Sequence, residues 1–115
     1  MPQYNIDMRR LFLLPRYRRD AARLLEAKEQ DEMERHVADD PTRHPLIPGA
    51  GGMRKARWAA SGRGKSGGVR VIYYFSPPGA VYFVAIYAKN EKENLSDSEK
   101  KALAKILGPF KKQRH

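Results

Sequence analysis

The chain has 115 residues, 41% of them hydrophobic, with a formal net charge of +10 and a pI near 10.1. This length suits one domain with a modest core, the apolar content excludes wholesale disorder, and the charge points to nucleic acid or an acidic protein as partner. With no cysteine, disulfides, thiolate metal sites and a cysteine nucleophile are excluded, in keeping with a reducing cytoplasm.

Met8 to Leu14 (MRRLFLL) predicts a short first strand, stopped by Pro15. Its apolar run, Leu11 to Leu14, is too short for a signal-peptide core or a membrane span, so a soluble, intracellular chain with no membrane partner is expected. From Arg16 to about Lys28, Ala21, Leu24 and Leu25 fall on one helical face. A second helix is expected over about Glu29 to Ala38, with Met33 and Val37 four apart, and Asp39, Asp40 and Pro41 end it. The acids of this section are expected to face solvent or a partner.

Pro45 to Gly52 (PLIPGAGG) reads as a loop, and Arg54 to Ala59 (RKARWA) alternates like a strand. Ser61 to Gly68 (SGRGKSGG) is glycine-rich and basic. Val69 to Phe75 and Ala80 to Ala88 are strands on their β-branched and aromatic content, joined by a tight turn at Ser76-Pro77-Pro78-Gly79. A last helix starts with a capping box, Ser96 as N-cap and Glu99 three residues on. Leu103, Ile106, Leu107 and Phe110 supply its apolar stripe, and Gly108-Pro109 is expected to end it. The order of strand, two helices, three strands and helix predicts one α+β domain with a largely antiparallel sheet.

Between Asp40 and Glu91 stand fifty positions without a carboxylate, among them Arg43, Arg54, Lys55, Arg57, Arg63, Lys65, Arg70 and Lys89. Such a stretch cannot neutralise its own charge, and it presents a positive field to a polyanion. Alternation puts Lys55 and Arg57 on one face of their strand, with Ala56 and Trp58 on the other. In the next strand Val69, Val71, Tyr73 and Phe75 share a face, opposite Arg70, Ile72 and Tyr74. If Trp58 and the valines turn toward the helices, Lys55, Arg57 and Arg70 converge on the open sheet face. Tyr87 and Lys89 share a face at the end of the last strand and border the same region.

Guanidiniums hold phosphate oxygens in pairs and stabilise charge building in a transition state, and a lysine crowded by cations loses proton affinity and serves as a base. Solvation of an exposed sheet face accounts for the same pattern equally well. The loop Gly62-Arg63-Gly64-Lys65-Ser66 is no P-loop, since Ala59 stands where that motif needs glycine and a strand follows. Arg63 and Lys65 read as phosphate grips or as a solvated loop. His36, His44 and His115 lack metal spacing. Tyr87, beside the basic edge, is the best of the aromatic residues for stacking on a base or hydrogen bonding to it.

Three segments, Gly51 to Trp58 (GGMRKARW), Gly64 to Tyr74 (GKSGGVRVIYY) and Ile86 to Leu95 (IYAKNEKENL), resemble the HigB branch of the RelE/ParE toxin superfamily. The first forty residues resemble it in layout only. The resemblance implies a RelE-like fold and a bacterial, cytoplasmic toxin of a type II toxin–antitoxin pair. It implies a metal-independent endoribonuclease that cuts mRNA on the ribosome by attack of a ribose 2′-OH on the adjacent phosphate. No metal or small-molecule cofactor is implied, and the expected protein partner is a neutralising antitoxin of the HigA kind with a helix-turn-helix. Carried over by position, Arg57 and Arg70 bind phosphate and the transition state, and Lys55 is a candidate base. Lys89 protonates the leaving 5′-oxygen or holds phosphate, while Arg54, Arg63, Lys65, Tyr87, Asn90 and Lys92 bind RNA. Asn90 and Ser96 stand where RelE itself has an arginine and a tyrosine, which leaves Lys89, Lys92 or Tyr87 to take over that pair's work. ParE-like inhibition of DNA gyrase and RNA binding without catalysis are the alternative readings.

Overall fold

The computed structural model describes residues 10–60 and 68–111. Seven elements follow in chain order: β1 (Arg10–Leu13), α1 (Pro15–Leu24), α2 (Ala27–Asp39), β2 (Arg54–Trp58), β3 (Val69–Ser76), β4 (Ala80–Ala88) and α3 (Asp97–Lys111). The expected order of strands and helices holds throughout. The sheet is mixed, in the order β1-β4-β3-β2, with β1 parallel to β4 and the other pairs antiparallel.

Pro15 opens α1 instead of merely stopping β1; at the first helical position its missing N–H costs nothing and its fixed φ suits the helix. The break between α1 and α2 lies at Leu25, four residues earlier than the composition suggests, with φ −128° and ψ 149°. Leu24 and Leu25 are both buried. Successive helical residues point about 100° apart, so an extended residue at the joint lets both leucines reach the core. At the other end of the chain, α3 runs past Gly108 and through Pro109 to Lys111. Pro109 removes one hydrogen bond, but Phe110 packs on Tyr82 with ring centroids 5.8 Å apart, and Lys111 donates to the carbonyl of Gly51 at 3.0 Å. Those contacts hold the last turn in place. The capping box forms as expected: Glu99 N donates to Ser96 Oγ at 3.1 Å and Ser96 N donates to Glu99 Oε1 at 2.8 Å.

The sheet is covered on both faces. Against α1 and α2 it turns Val69, Val71, Tyr73, Val81, Phe83, Ile86 and Ala88, which meet Tyr17, Ala21, Leu24, Met33 and Val37. Trp58 and the valines do face these helices, as the alternation implies. Among the acids of the first section, Glu34 lies inside the molecule, where Oε2 accepts hydrogen bonds from Tyr17 Oη at 2.7 Å and Gln30 Nε2 at 2.9 Å. Burial pushes its carboxyl above the usual glutamate range, against the pull of these two donors. The second face is not open. Leu103 and Leu107 of α3 and Ala50 and Met53 of the preceding loop pack on Ile72, Tyr82, Val84 and Ala85.

A bulge decides what that second face carries. Ile72 pairs with Ala85 but Tyr73 pairs with Phe83, so Val84 is an extra residue in β4. Before it, odd-numbered residues of β4 face α1 and α2; after it, Ile86 and Ala88 do. Tyr87 is thereby moved onto the face that carries Arg70 and Arg57.

Candidate active site

Arg57 pairs with Arg70, and Arg70 with Tyr87, so the three side chains form one row across β2, β3 and β4. Directly opposed residues on one face stand about 5 Å apart at Cβ. Lys55 lies two residues along β2 on the same face, opposite Ile72. The loop from Pro45 to Pro48 and the start of α3 wall this region into a cleft of about 390 Å³, within the range of small ligand sites, roughly 300–1,000 Å³. Lys55, Arg57 and Tyr87 line it from the sheet, Leu46 and Ile47 from the loop, and Asn94, Leu95 and Lys100 from the α3 side.

The loop wall is fixed by the strand beneath it. Lys55 N donates to the carbonyl of Pro45 at 3.1 Å, and Ile47 N to that of Met53 at 2.9 Å. Arg54 points away from the cleft, donating to the carbonyls of Thr42 at 3.2 Å and His44 at 2.7 Å. Tyr73 Oη donates to the carbonyl of Pro41 at 2.8 Å, and burial drives its hydroxyl pKa to about 12. At the far end of β2, Gly68 has φ +77°, and a Cβ there would meet the carbonyl oxygen of Trp58 at 2.2 Å. Only glycine lets β3 begin this close to the end of β2.

Lys55 Nζ donates to Asn94 Oδ1 at 3.0 Å. Burial lowers its pKa below the usual lysine value, and the positive charges of Arg57 and Arg70 lower it further, against the opposing pull of Glu93. Arg57 is exposed to the cleft. Arg70 is 5% exposed, with Nη1 on the carbonyl of Val69 at 3.3 Å and Nη2 4.0 Å from Glu93 Oε2. It supports the site from beneath. Tyr87 is buried, and its hydroxyl has no hydrogen-bond partner among the described residues. Burial raises its pKa, although Arg70 opposes the shift.

The other candidates are dispersed. Lys89 and Asn90 are exposed just past β4 and do not line the cleft. Lys92 is paired with Glu99, and its ammonium lies 5.5 Å from the centre of the Tyr87 ring. Arg63 and Lys65 lie outside the described residues. Sequence reasoning missed Lys100, Asn94 and the Pro45–Pro48 wall. Lys100 reads from the sequence as one more exposed helical lysine, and only the docking angle of α3 brings it to the cleft. Among the described residues, no group of three or more His, Asp or Glu side chains is placed to hold a metal ion, and no helix is long and apolar enough to cross a membrane.

A family profile described as the RelE toxin of the RelE/RelB toxin–antitoxin system matches residues 47–114. The chain belongs to the RelE toxin family. The matched region contains every residue lining the cleft except Pro45 and Leu46. Among solved structures, the free state of a double arginine-to-alanine mutant of the E. coli toxin RelE superimposes with a TM-score of 0.55 at 15% identity. That match covers 80% of this chain and 93% of the E. coli chain. It establishes that this protein has the RelE fold.

Proposed function

We propose that this RelE-family toxin is an endoribonuclease of the HigB-like branch that cuts mRNA on the ribosome and so inhibits translation. The observation that carries this reading is that Lys55 and Arg57 line one cleft beside the buried Arg70, with the proton affinity of Lys55 lowered by burial and by the two arginines. Neutral Lys55 takes the proton of a ribose 2′-OH, and O2′ attacks the adjacent phosphorus in line with the departing 5′-oxygen. Arg57 holds the non-bridging oxygens directly, while Arg70 adds positive charge from below as negative charge builds on the phosphorane. Asn94 orients the Lys55 amine. The products are a 2′,3′-cyclic phosphate and a 5′-hydroxyl. Tyr87, Lys92, Lys89 and Asn90 extend the surface that receives the RNA strand. Arg54 serves it indirectly, by holding the loop that walls the cleft.

Family membership implies an antitoxin partner, and we propose a HigA-like helix-turn-helix protein, with both partners in the bacterial cytoplasm. The test is to induce the toxin and map new RNA 5′ ends across translated messages, beside an Arg57→Ala variant and with ribosomes blocked. Ends within open reading frames that disappear in both controls are the expected result. Growth arrest without new ends overturns the reading.

A further inference from the structure

In-line displacement needs a proton donor for the 5′-oxygen on the side opposite the base. The residues that line the cleft leave few choices. Arg57 does not give up its proton near neutral pH. The Tyr87 hydroxyl is buried in the floor, and burial raises its pKa. Asn94 has no acidic proton. Of the lysines nearby, neither Lys92, which is paired with Glu99, nor Lys89, exposed beyond the strand end, lines the cleft. Lys100 remains. It lines the cleft from the first turn of α3, while Lys55 lines it from β2. Its Nζ donates to the carbonyl of Pro48 at 2.8 Å, with the exposed Asp97 carboxylate 4.0 Å away. An ammonium has three donors, so the Pro48 bond fixes its position and leaves protons to deliver. Its charge also reaches Lys55, whose proton affinity it helps to lower.

We propose that Lys100 is the general acid of the cleavage, protonating the 5′-oxygen as it leaves. The assignment rests on the endoribonuclease reading above. The O2′–P bond forms as Lys55 takes the 2′-OH proton, and the P–O5′ bond breaks as the Lys100 ammonium gives its proton to O5′. Lys55 ends as the ammonium and Lys100 as the neutral amine, and exchange with water restores both. The bond to Pro48 gives Lys100 a second role, tying α3 to the loop wall, so the test must separate proton donation from positioning.

A message with one 5′-bridging phosphorothiolate at the cut linkage does this, because a thiolate departs without being protonated. Ribosomes programmed with this message, or with its all-oxygen counterpart, are treated with wild-type toxin, Lys100→Met or Lys100→Arg. Arginine keeps the charge and can reach the Pro48 carbonyl, but it holds its proton. Both variants should cut the oxygen message about 10²–10⁴-fold more slowly than wild type and the sulfur message within a few-fold of it. An equal loss on both messages, or no loss on either, overturns the assignment of Lys100 while wild-type cutting upholds the endoribonuclease reading. Wild-type toxin that leaves both messages intact overturns the two together. If Lys100→Met fails to fold, Lys100→Arg alone decides.

Discussion

The two faces of the sheet are built from the same three long strands and have opposite characters. Toward α1 and α2, side chains from both helices and from β2, β3 and β4 close a continuous apolar layer, with Glu34 as the buried carboxyl among the described residues. Toward α3, one helix and the loop before β2 cover the sheet through Leu103, Leu107, Ala50 and Met53, and a cleft remains between that loop and the start of α3. Lys55 and Arg57 line that cleft, with the buried Tyr87 in its floor and the buried Arg70 beside them. A fully covered face can supply stability, while a half-covered one can hold charges in partial desolvation, which shifts a lysine's proton affinity without demanding that it be neutralised. Stability should therefore depend on one face and chemistry on the other.

The most severe test of that division removes the proposed base. Lys55→Met should lower RNA cleavage about 10²–10⁴-fold, while the free energy of unfolding in urea changes by no more than about 1 kcal/mol, the scale of its one hydrogen bond to Asn94. Leu24→Ala is the converse. Leu24 is fully buried between α1 and the sheet, and its truncation should cost about 2–5 kcal/mol of stability, with cleavage per folded molecule unchanged at low temperature. If Lys55→Met destabilised as much as Leu24→Ala, or if Leu24→Ala abolished cleavage by fully folded protein, the faces would not divide the work.

How much of this was legible in the sequence follows the same division. The alternation in Arg54–Trp58 and Val69–Phe75 assigned faces correctly because period two is a local property of a strand. The capping box at Ser96 and Glu99 was legible for the same reason. The bulge at Val84 was not, since no glycine or proline marks it, and with it the parity that delivers Tyr87 to the site was hidden. The break at Leu25 was equally unmarked, because it answers to the burial of two adjacent leucines against a distant sheet. Lys100 and Asn94 reach the cleft only through the docking of α3, a tertiary event with no local code. The exposure of Arg70 was misjudged for a related reason, because nothing in its strand says that it will be buried with Glu93 beside it. Its burial makes Arg57, and not Arg70, the cleaner substitution for testing phosphate binding.

A smaller effect probes the buried Glu34 carboxyl on the apolar face. Because burial raises the Glu34 pKa above its value in the unfolded chain, the folded state binds its proton more tightly. Stability is therefore full below the ordinary glutamate range and is lost as pH rises from there through the folded value. Glu34→Gln removes this loss and keeps an oxygen to accept from Tyr17 and Gln30. The melting temperature of the variant should exceed that of wild type at pH 7, and the gap should close toward pH 4. A gap that persisted at pH 4 would mean that packing, and not ionisation, sets the difference.

The smallest expected effect lies at the edge, where the two faces are joined by the chain leading to the cleft wall. His36 and His44 face one another with Nε2 atoms 3.1 Å apart, beside the Trp58 ring and the Arg43 guanidinium. Burial lowers both pKa values, with Arg43 adding to the shift at each and His36 adding to that of His44; Asp39 opposes at His36 and Asp40 at His44. The unfolded chain thus takes up protons first as pH falls, so stability is lost from the ordinary histidine value downward until the folded values are passed. Glu34 titrates with the opposite sign as pH falls, so the measurement belongs in the Glu34→Gln background. There, the melting temperature should decline between pH 7.5 and 5, and the double substitution His36→Gln and His44→Gln should flatten the decline. Because His44 immediately precedes Pro45 of the cleft wall, cleavage by the parent should weaken over the same interval relative to the double variant. An unchanged slope in the double variant would place the acid sensitivity elsewhere and leave the cleft wall independent of this pair.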